Sequence, residues 1–546
     1  MTLIDVLNKS LDCSKIDILP ASEASKKYGQ TTLKPGTLEL YAAIIVKDVS
    51  IISDVLQLAN TELFYLHPIS SGNNWGYGSI NSQLQDRKNI VLDLGQLKKI
   101  TPTDKELGLI TLQPGVSQQE LYNYLTLHNW PFMTPVTGAG PSCSIVSNAL
   151  ERGYGITPRT DHFAAVNAIK AYLPHPDLCK ELFESSISAM DKSGDDFIDK
   201  TFKWGLGPYL DGLFTQSNLG IVTEMTIRLA PTPTDFCSFY LKVADPSKFS
   251  AAVSIIKGTL LNFEGAVGSI NLMDRRRLVS MTSENPNGRE THKNMSNEQV
   301  LNLANKSQLP EWMVVGSIYG NQDIINAVKK QIRKKAKHIG SIFFSNSLLM
   351  KFAYFFFALP LPKTRLIENL RLQLHSMKEG TDIMLGKPNQ VALPLAYWRN
   401  PAKSADKRQA LNPAKDQCGL LWYAPLLPMK AEKLTAFVNL IRSVTPKYGI
   451  EPLITFTNLR HDCIDSTVPI VFNLEDEEAV KAAHLCLEEL ILSGNQLGFT
   501  PYRLSIGQQQ ALDASHIFWK TNKLIKASLD PNNIISPLRY APQTAT

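Results

Sequence analysis

The sequence is short of several things that would each have settled its class. Cysteine is scarce: seven in 546 residues (Cys13, Cys143, Cys179, Cys237, Cys418, Cys463 and Cys486), odd in number and without a Cys-x-x-Cys pair. That argues against a disulfide framework and a structural zinc site, and it suits a reducing compartment. No apolar run approaches the roughly 20 residues of a spanning helix; the most apolar, residues 352–359, is flanked by Lys351 and by Pro360 and Pro362. Residues 1–20 alternate charged and apolar side chains, with no continuous apolar centre and no small-residue cleavage site. No signal peptide is expected there, and a cytoplasmic protein is the default. Neither sign of charge dominates. The 56 Lys and Arg against 50 Asp and Glu leave a net +6, too weak over this length to argue for nucleic acid. Internal repeats and low-complexity tracts are missing too.

What is present is globular. Hydrophobic residues at 44% and charged residues at 19% rule out a largely disordered chain. The length predicts two large lobes. Residues 90–94 and Leu109–Leu112 read as strands, and Ser117 is placed to cap a helix over 118–128. A strand over 219–229 ends at Pro231-Thr232-Pro233-Thr234, a natural boundary because closely spaced prolines cannot continue a ladder. Beyond it, 247–261 and 432–448 carry helix periodicity, and 450–457 and 470–472 look like strands. The expected division is a first lobe over 1–235, a second over 236–497, and a segment 498–546 that returns to the first because it lacks a core of its own. The fold class is α+β, with segregated elements rather than a regular βαβ array.

The densest signal is Ser70-Ser71-Gly72-Asn73-Asn74-Trp75-Gly76-Tyr77-Gly78. Three glycines in seven residues allow positive φ and close approach of backbone to a ligand. Successive amides in such a loop form an anion-binding concavity without a lysine, and Ser70, Ser71 and Asn73 add neutral donors. The glycine spacing fits neither a Walker A loop nor Gly-x-Gly-x-x-Gly. Taken alone, the loop reads equally well as plain surface.

In order along the chain, further stretches give that loop a context. Gly76-Tyr77-Gly78 is followed by Val91-Leu92-Asp93-Leu94, then by Asn148-Ala149-Leu150-Glu151-Arg152-Gly153-Tyr154-Gly155-Ile156-Thr157-Pro158 and Asp161-His162-Phe163. Phe202 to Pro208 leads into Asp211 to Thr223; Thr455-Phe456-Thr457, Tyr502-Arg503 and Asp530-Pro531-Asn532-Asn533 complete the set. This ordered set resembles the vanillyl-alcohol oxidase and p-cresol methylhydroxylase flavoproteins over most of the chain, most clearly before Pro231 and after Ile450. The resemblance implies an FAD-binding lobe of the p-cresol methylhydroxylase type and a cap lobe over the isoalloxazine. Ser70, Ser71, Gly72, Asn73, Asn74, Gly76, Tyr77 and Gly78 would hold the diphosphate. Gly220, Ile221 and Val222 would pass the adenine end. Thr137, Gly138, Ala139 and Ser142 would run along the flavin ring, with Ser144, Asn148 and Gly155 as further cofactor contacts. No metal ligand is implied.

In that family a 4-alkylphenol or 4-hydroxybenzylic alcohol binds as its phenolate, and hydride leaves the carbon para to the oxygen. A buried phenol ionises only where donors and a positive charge offset the desolvation of the anion. The matching positions are Tyr77, Tyr502 and Arg503, with Arg399 as a further candidate for stabilising charge. The pocket also departs from the family. The flavin-side aspartate or serine falls at Ala139 or Gly140 with no carboxylate nearby, Ile156 replaces a tyrosine, and the histidine pair after Thr457 gives way to Arg460-His461-Asp462 and Asp465. Cys143 and Cys418 read as small buried hydrophobes. Leu420 stands where one branch carries the histidine that links the flavin, so non-covalent FAD is favoured, with a tyrosyl link through Tyr423 left open.

The expected activity is therefore an FAD-linked oxidase or dehydrogenase of a phenolic substrate, passing electrons to oxygen or to a redox protein, and assembled as a homodimer. Two alternatives stand beside it: a flavin oxidoreductase of a non-phenolic alcohol or hydroxy acid, and a non-catalytic flavin-binding partner at a membrane. Lys329, Lys330, Arg333, Lys334, Lys335 and Lys337 followed by the apolar stretches up to 362 make peripheral contact at the inner membrane surface conceivable; a solvated helix before a packed cap helix is the plainer reading.

Overall fold

A computed structural model describes residues 1–34, 39–80, 84–190, 198–289, 293–346, 365–400 and 410–542. Three of the four sheets among the described residues organise the fold. The first takes strands β1 (Ile16–Pro20), β2 (Ala42–Val46), β3 (Tyr65–Ile69) and β4 (Asn89–Asp93) in the order β1-β2-β4-β3. Helix α1 (Ile52–Glu62) carries the chain from β2 to β3, and both strands run parallel to β4. One βαβ crossover thus exists, inside an otherwise segregated α+β fold. Strands β2 and β4 are buried on both faces, as their unbroken Ala42-Ala43-Ile44-Ile45-Val46 and Asn89-Ile90-Val91-Leu92-Asp93 runs require.

The second sheet is antiparallel: β5 (Ile100–Asp104), β6 (Leu109–Leu112), β7 (Val166–Tyr172), β8 (Leu182–Glu184) and β9 (Ile221–Arg228), in the order β5-β6-β9-β7-β8. Helix α2 (Gln118–Leu127) starts at Ser117, whose hydroxyl accepts from the Glu120 amide while the Glu120 carboxylate accepts from the Ser117 amide. This capping box satisfies two donors that a helix start otherwise leaves open.

A nine-stranded antiparallel sheet begins at β10 (Asp235–Val243) and ends at Thr500–Pro501. Helices α3 (Phe249–Asn262), α4 (Gln322–Ala336), α5 (Ala431–Val444) and α6 (Glu477–Gln496) pack on it over the largest apolar core of the molecule, which includes Phe239, Phe437, Phe456 and Phe472. Two elements are shorter than their periodicity suggested. The helix expected over 432–448 stops at Val444, because Pro446 follows and the chain tightens into a 3₁₀ turn. The strand expected from 450 begins at Thr455.

The last stretch lies against the first sheet. The Leu66 amide donates to the Ile534 carbonyl (2.8 Å), the Ser536 amide donates to the Leu66 carbonyl (2.9 Å), and buried Lys526 donates to the Asn218 and Ile535 carbonyls and pairs with Asp530. The basic face of α4 is partly engaged: Lys329 and Arg333 sit over the Phe344 ring, at 5.4 and 4.9 Å. The apolar stretch 352–359 and Leu348, Leu349 and Met350 lie outside the described residues. Among those residues, no helix is long and apolar enough to cross a membrane.

Candidate active site

A cavity of about 380 Å³ runs between the first two sheets and the capping sheet. Its floor is the Gly-rich loop that leaves β3. The amides of Tyr77 and Gly78 donate to the Asn74 carbonyl, the Gly76 amide donates to the Thr32 hydroxyl, and the Asn74 side chain donates to the Gly78 carbonyl at 2.6 Å. Among the described residues the amides of Ser71, Gly72, Asn73 and Asn74 meet no intrachain acceptor. The anion-binding concavity expected over the whole loop therefore narrows to its first half. Gly76 and Gly78 serve another purpose. Both have positive φ, and a Cβ on Gly76 would lie 2.2 Å from the Trp422 ring of the cap.

Of the positions expected to hold cofactor, Ser70, Ser71, Gly72, Asn73, Asn74, Tyr77, Gly138, Ala139, Ser144, Asn148, Gly220, Ile221 and Val222 line this cavity. Gly76, Gly78, Thr137, Ser142 and Gly155 stand behind it. Ser142 accepts from the Asn73 side chain (3.2 Å), and Thr137 exchanges hydrogen bonds with Gln118. Gly155 makes room for His162, whose Nδ1 lies 2.7 Å from the Asn148 amide nitrogen. Burial lowers the His162 pKa to about 4, so its ring is neutral when it orients Asn148. The buried indole N–H of Trp75 has no partner among the described residues, and its side chain lines the same cavity.

At one end the three expected phenolate residues come together. The segment 502–506 leaves the edge of the capping sheet, where the Tyr502 amide donates to the Ala424 carbonyl, and crosses to the Gly-rich loop, where the Ile506 amide donates to the Tyr77 carbonyl. The Arg503 guanidinium lies 4.4 Å from the Tyr77 ring centroid, and Tyr502 is within hydrogen-bonding reach of the Tyr77 hydroxyl. Burial pushes both tyrosines up, so both are neutral donors at rest. Arg503 also contacts Asn74 and Glu151, and Arg539 pairs with the other oxygen of Glu151. Burial alone would raise the Glu151 carboxyl; Arg539 and Arg503 more than reverse this and hold it below its usual range.

The sequence assigns no role to Glu151, Arg539 or Tyr154, and marks Asp465 only as a carboxylate after Thr457. The Tyr154 ring stands 6.0 Å from that of Tyr502, and its hydroxyl is within reach of Thr457 and Asp465. Asp465 pairs with Thr457 across the sheet and is 4% exposed, with Oδ1 unpartnered among the described residues. Burial raises its carboxyl well above the usual range. The site is thus supplied with carboxylates from elements distant from Ala139 and Gly140. The available signal was the Asp465 already noted after Thr457.

Two expectations need correction. Arg399 does not line the cavity. It is 1% exposed and donates to the Lys293 and Gly449 carbonyls, with Glu451 at 3.9 Å, so it is a structural cation of the cap. Tyr423, the residue left open for a tyrosyl link, is turned away from the cavity by strand alternation. Within Cys418–Tyr423, Leu420 and Trp422 line the cavity, whereas Tyr423 points to the opposite face and packs in the cap core, its ring centroid 6.1 Å from Phe437. Cys418 is buried beside Leu420, and Cys143 lines the cavity.

Comparison with known proteins identifies the family and the fold. Residues 41–174 match the FAD binding domain family. The chain is 30% identical over 524 residues to 1'-carboxy-chondrochloren decarboxylase of Chondromyces crocatus, covering 95% of this chain and 93% of that protein. It is 23% identical over 503 residues to the flavoprotein subunit of 4-cresol dehydrogenase [hydroxylating] of Pseudomonas putida, covering 91% and 87%. A crystal structure of p-cresol methylhydroxylase with substrate bound superposes with a TM-score of 0.83 at 21% identity, over 99% of this chain and 96% of that one. The open amides of Ser71–Asn74, the unpartnered Trp75 indole and the excess guanidinium charge beside Glu151 suit an anionic, ring-bearing cofactor such as FAD. The chain is an FAD-dependent oxidoreductase and belongs to the vanillyl-alcohol oxidase and p-cresol methylhydroxylase superfamily.

Proposed function

We propose that the protein oxidises a phenolic substrate at the carbon para to its ring hydroxyl, holding the phenol as its phenolate. FAD, when bound, supplies the hydride acceptor. One observation carries the reading: Tyr77, Tyr502 and Arg503 converge beside a carboxylate shared by two arginines. Two guanidiniums against one carboxylate leave one positive charge in excess, the condition a buried phenolate needs. Tyr77 and Tyr502 donate to the phenolate oxygen, and Arg503 opposes its charge. Ionising the phenol releases a proton. Asp465, at the end of the tyrosine cluster and held by burial nearer neutrality than an ordinary carboxyl, is the group placed to take it. An ionised ring then stabilises the electron-poor carbon left when hydride departs.

A second reading, a hydroxy-acid or carboxylated substrate, is favoured by the name of the relative from Chondromyces crocatus, a carboxy-substrate decarboxylase. Anaerobic mixing of the FAD-loaded protein with 4-alkylphenols and with their ring-methoxy counterparts separates the two. Bleaching that depends on the free hydroxyl supports the phenolate reading. Equal bleaching by both, or none by any phenol, removes it.

A further inference from the structure

Among the described arginines that line the cavity, Arg277 is the one that the phenolate reading leaves without work. It lies in the first turn of the helix Arg275–Thr282, whose start is capped by Asp274: the Arg277 amide donates to Asp274 Oδ1 at 3.0 Å. Its neighbours have carboxylates. Arg275 pairs with Glu311 at 3.1 Å, and Arg276 pairs with Glu451. Among the described residues, the only side-chain hydrogen bond of the Arg277 guanidinium goes to the Ser280 hydroxyl (3.1 Å), and no carboxylate stands within ion-pair distance. The side chain lines the cavity from the cap side, together with Leu420, Trp422 and Leu393. Asp274, the carboxylate that acts on it electrostatically, faces Arg442 at 3.8 Å and binds the Ile454 amide. Burial lowers the Arg277 pKa only to about 10, so the guanidinium stays charged at neutral pH.

A partly enclosed cation with no ion-pair partner of its own among the described residues is costly unless a ligand pairs with it. From this placement we infer that Arg277 binds an anionic oxygen of the ligand, forming a second charge-recognition point of the cavity, separate from the Glu151–Arg503–Arg539 cluster. Two ligand groups carry that chemistry: a carboxylate on the substrate and the diphosphate of FAD. The inference rests on ligand binding in this cavity and stands without the phenolate reading.

The test uses the FAD-loaded protein, with Arg277→Gln and Arg277→Lys as variants. Three probes are titrated anaerobically and followed by the perturbation of flavin absorbance: 3-(4-hydroxyphenyl)propanoate, its methyl ester, and 3-phenylpropanoate. FAD affinity is measured in parallel by fluorescence. If the oxygen is the substrate's, the parent protein binds the free acid about ten- to a hundred-fold more tightly than the ester, the worth of a charge-assisted hydrogen bond. Arg277→Gln then loses that preference with FAD affinity kept, and Arg277→Lys restores part of it. If the oxygen belongs to FAD, Arg277→Gln weakens FAD binding by a similar factor and leaves the acid-to-ester ratio alone. Parent-like values for both quantities in a folded Arg277→Gln protein overturn the inference. The third probe isolates the phenolate reading: equal binding of the phenyl and hydroxyphenyl acids removes that reading while leaving the Arg277 result intact.

Discussion

Arg503 and Arg539 hold the two oxygens of a single carboxylate, Glu151, with Arg503 Nε 3.1 Å from Oε2 and Arg539 on Oε1. The arrangement brings together a motif residue of the first lobe, the second residue after the last strand of the capping sheet, and a turn near the end of the described residues. It also makes Arg503 removable, because Glu151 keeps a partner when Arg503 is gone.

Arg503→Ala should therefore fold and retain FAD while failing in chemistry. Losing the partner of a buried anion costs about 3–5 kcal/mol. At about 1.36 kcal/mol per factor of ten, flavin reduction by a 4-alkylphenol should slow by roughly two to three orders of magnitude. Tyr77→Phe and Tyr502→Phe each remove one donor and should cost about 1–3 kcal/mol. Anaerobic stopped-flow reduction measures all three. Near-parent reduction by Arg503→Ala with its FAD in place sinks the phenolate mechanism.

Glu151→Gln removes the only carboxylate of the pairing and raises its excess positive charge from one to two. Two guanidiniums would then face each other without a carboxylate, destabilising the fold by about 3–5 kcal/mol. The same pairing gives the parent protein an acid limit. The Glu151 carboxyl is held below its unfolded value of 4.5, so its contribution to stability is present above that value and is lost as pH falls through the lower folded value. Thermal melts between pH 3 and 6 should show a drop at the acid end that is smaller in Glu151→Gln.

Asp465 behaves with the opposite sign. Its carboxyl is raised above 3.8 by burial, so the folded state holds the proton longer than the unfolded chain, and stability declines as pH rises above the ordinary value. Asp465→Asn should gain stability relative to the parent as pH increases, and it should remove one ionisation from the pH profile of flavin reduction. A profile identical to the parent's would show that Asp465 takes no proton in the reaction.

The flavin should leave the protein on acid precipitation. Leu420 offers no nucleophile and Tyr423 faces the cap core, so yellow colour should stay in the supernatant and Tyr423→Phe should bind FAD like the parent. Colour that survives denaturing electrophoresis would place the link on another residue.

Much of the cofactor side was legible because its signals are local. A loop such as Ser70 to Gly78 is marked by closely spaced glycines and small donors, and the helix after Ser117 by the three-residue spacing to Glu120. Boundaries were less so: Pro446 ends a helix whose apolar period runs on, a contest between local sterics and periodicity that the proline wins. The rest depends on pairings between residues hundreds of positions apart. Asp465 reaches the tyrosines only because Cys463–Asn473 pairs with Thr455–Asn458 in one register, and a one-residue slip would turn its side chain to the other face. Arg399 misled for the complementary reason. Beside Trp398 it looks like a site residue, but Gly449, Lys293 and Glu451 claim it after folding.

The contact of Gly76 with Trp422 ties the Gly-rich loop mechanically to the cap. With φ at +80° and no space for a Cβ, Gly76 lets the indole seat directly against the loop, so the loop's shape and the indole's position constrain each other. A ligand that holds the loop in this shape therefore also favours its contact with the cap, and each stabilises the other by the same free energy. Stripped of flavin, the protein should unfold in two separable steps, cap from base, and with flavin bound it should unfold in one.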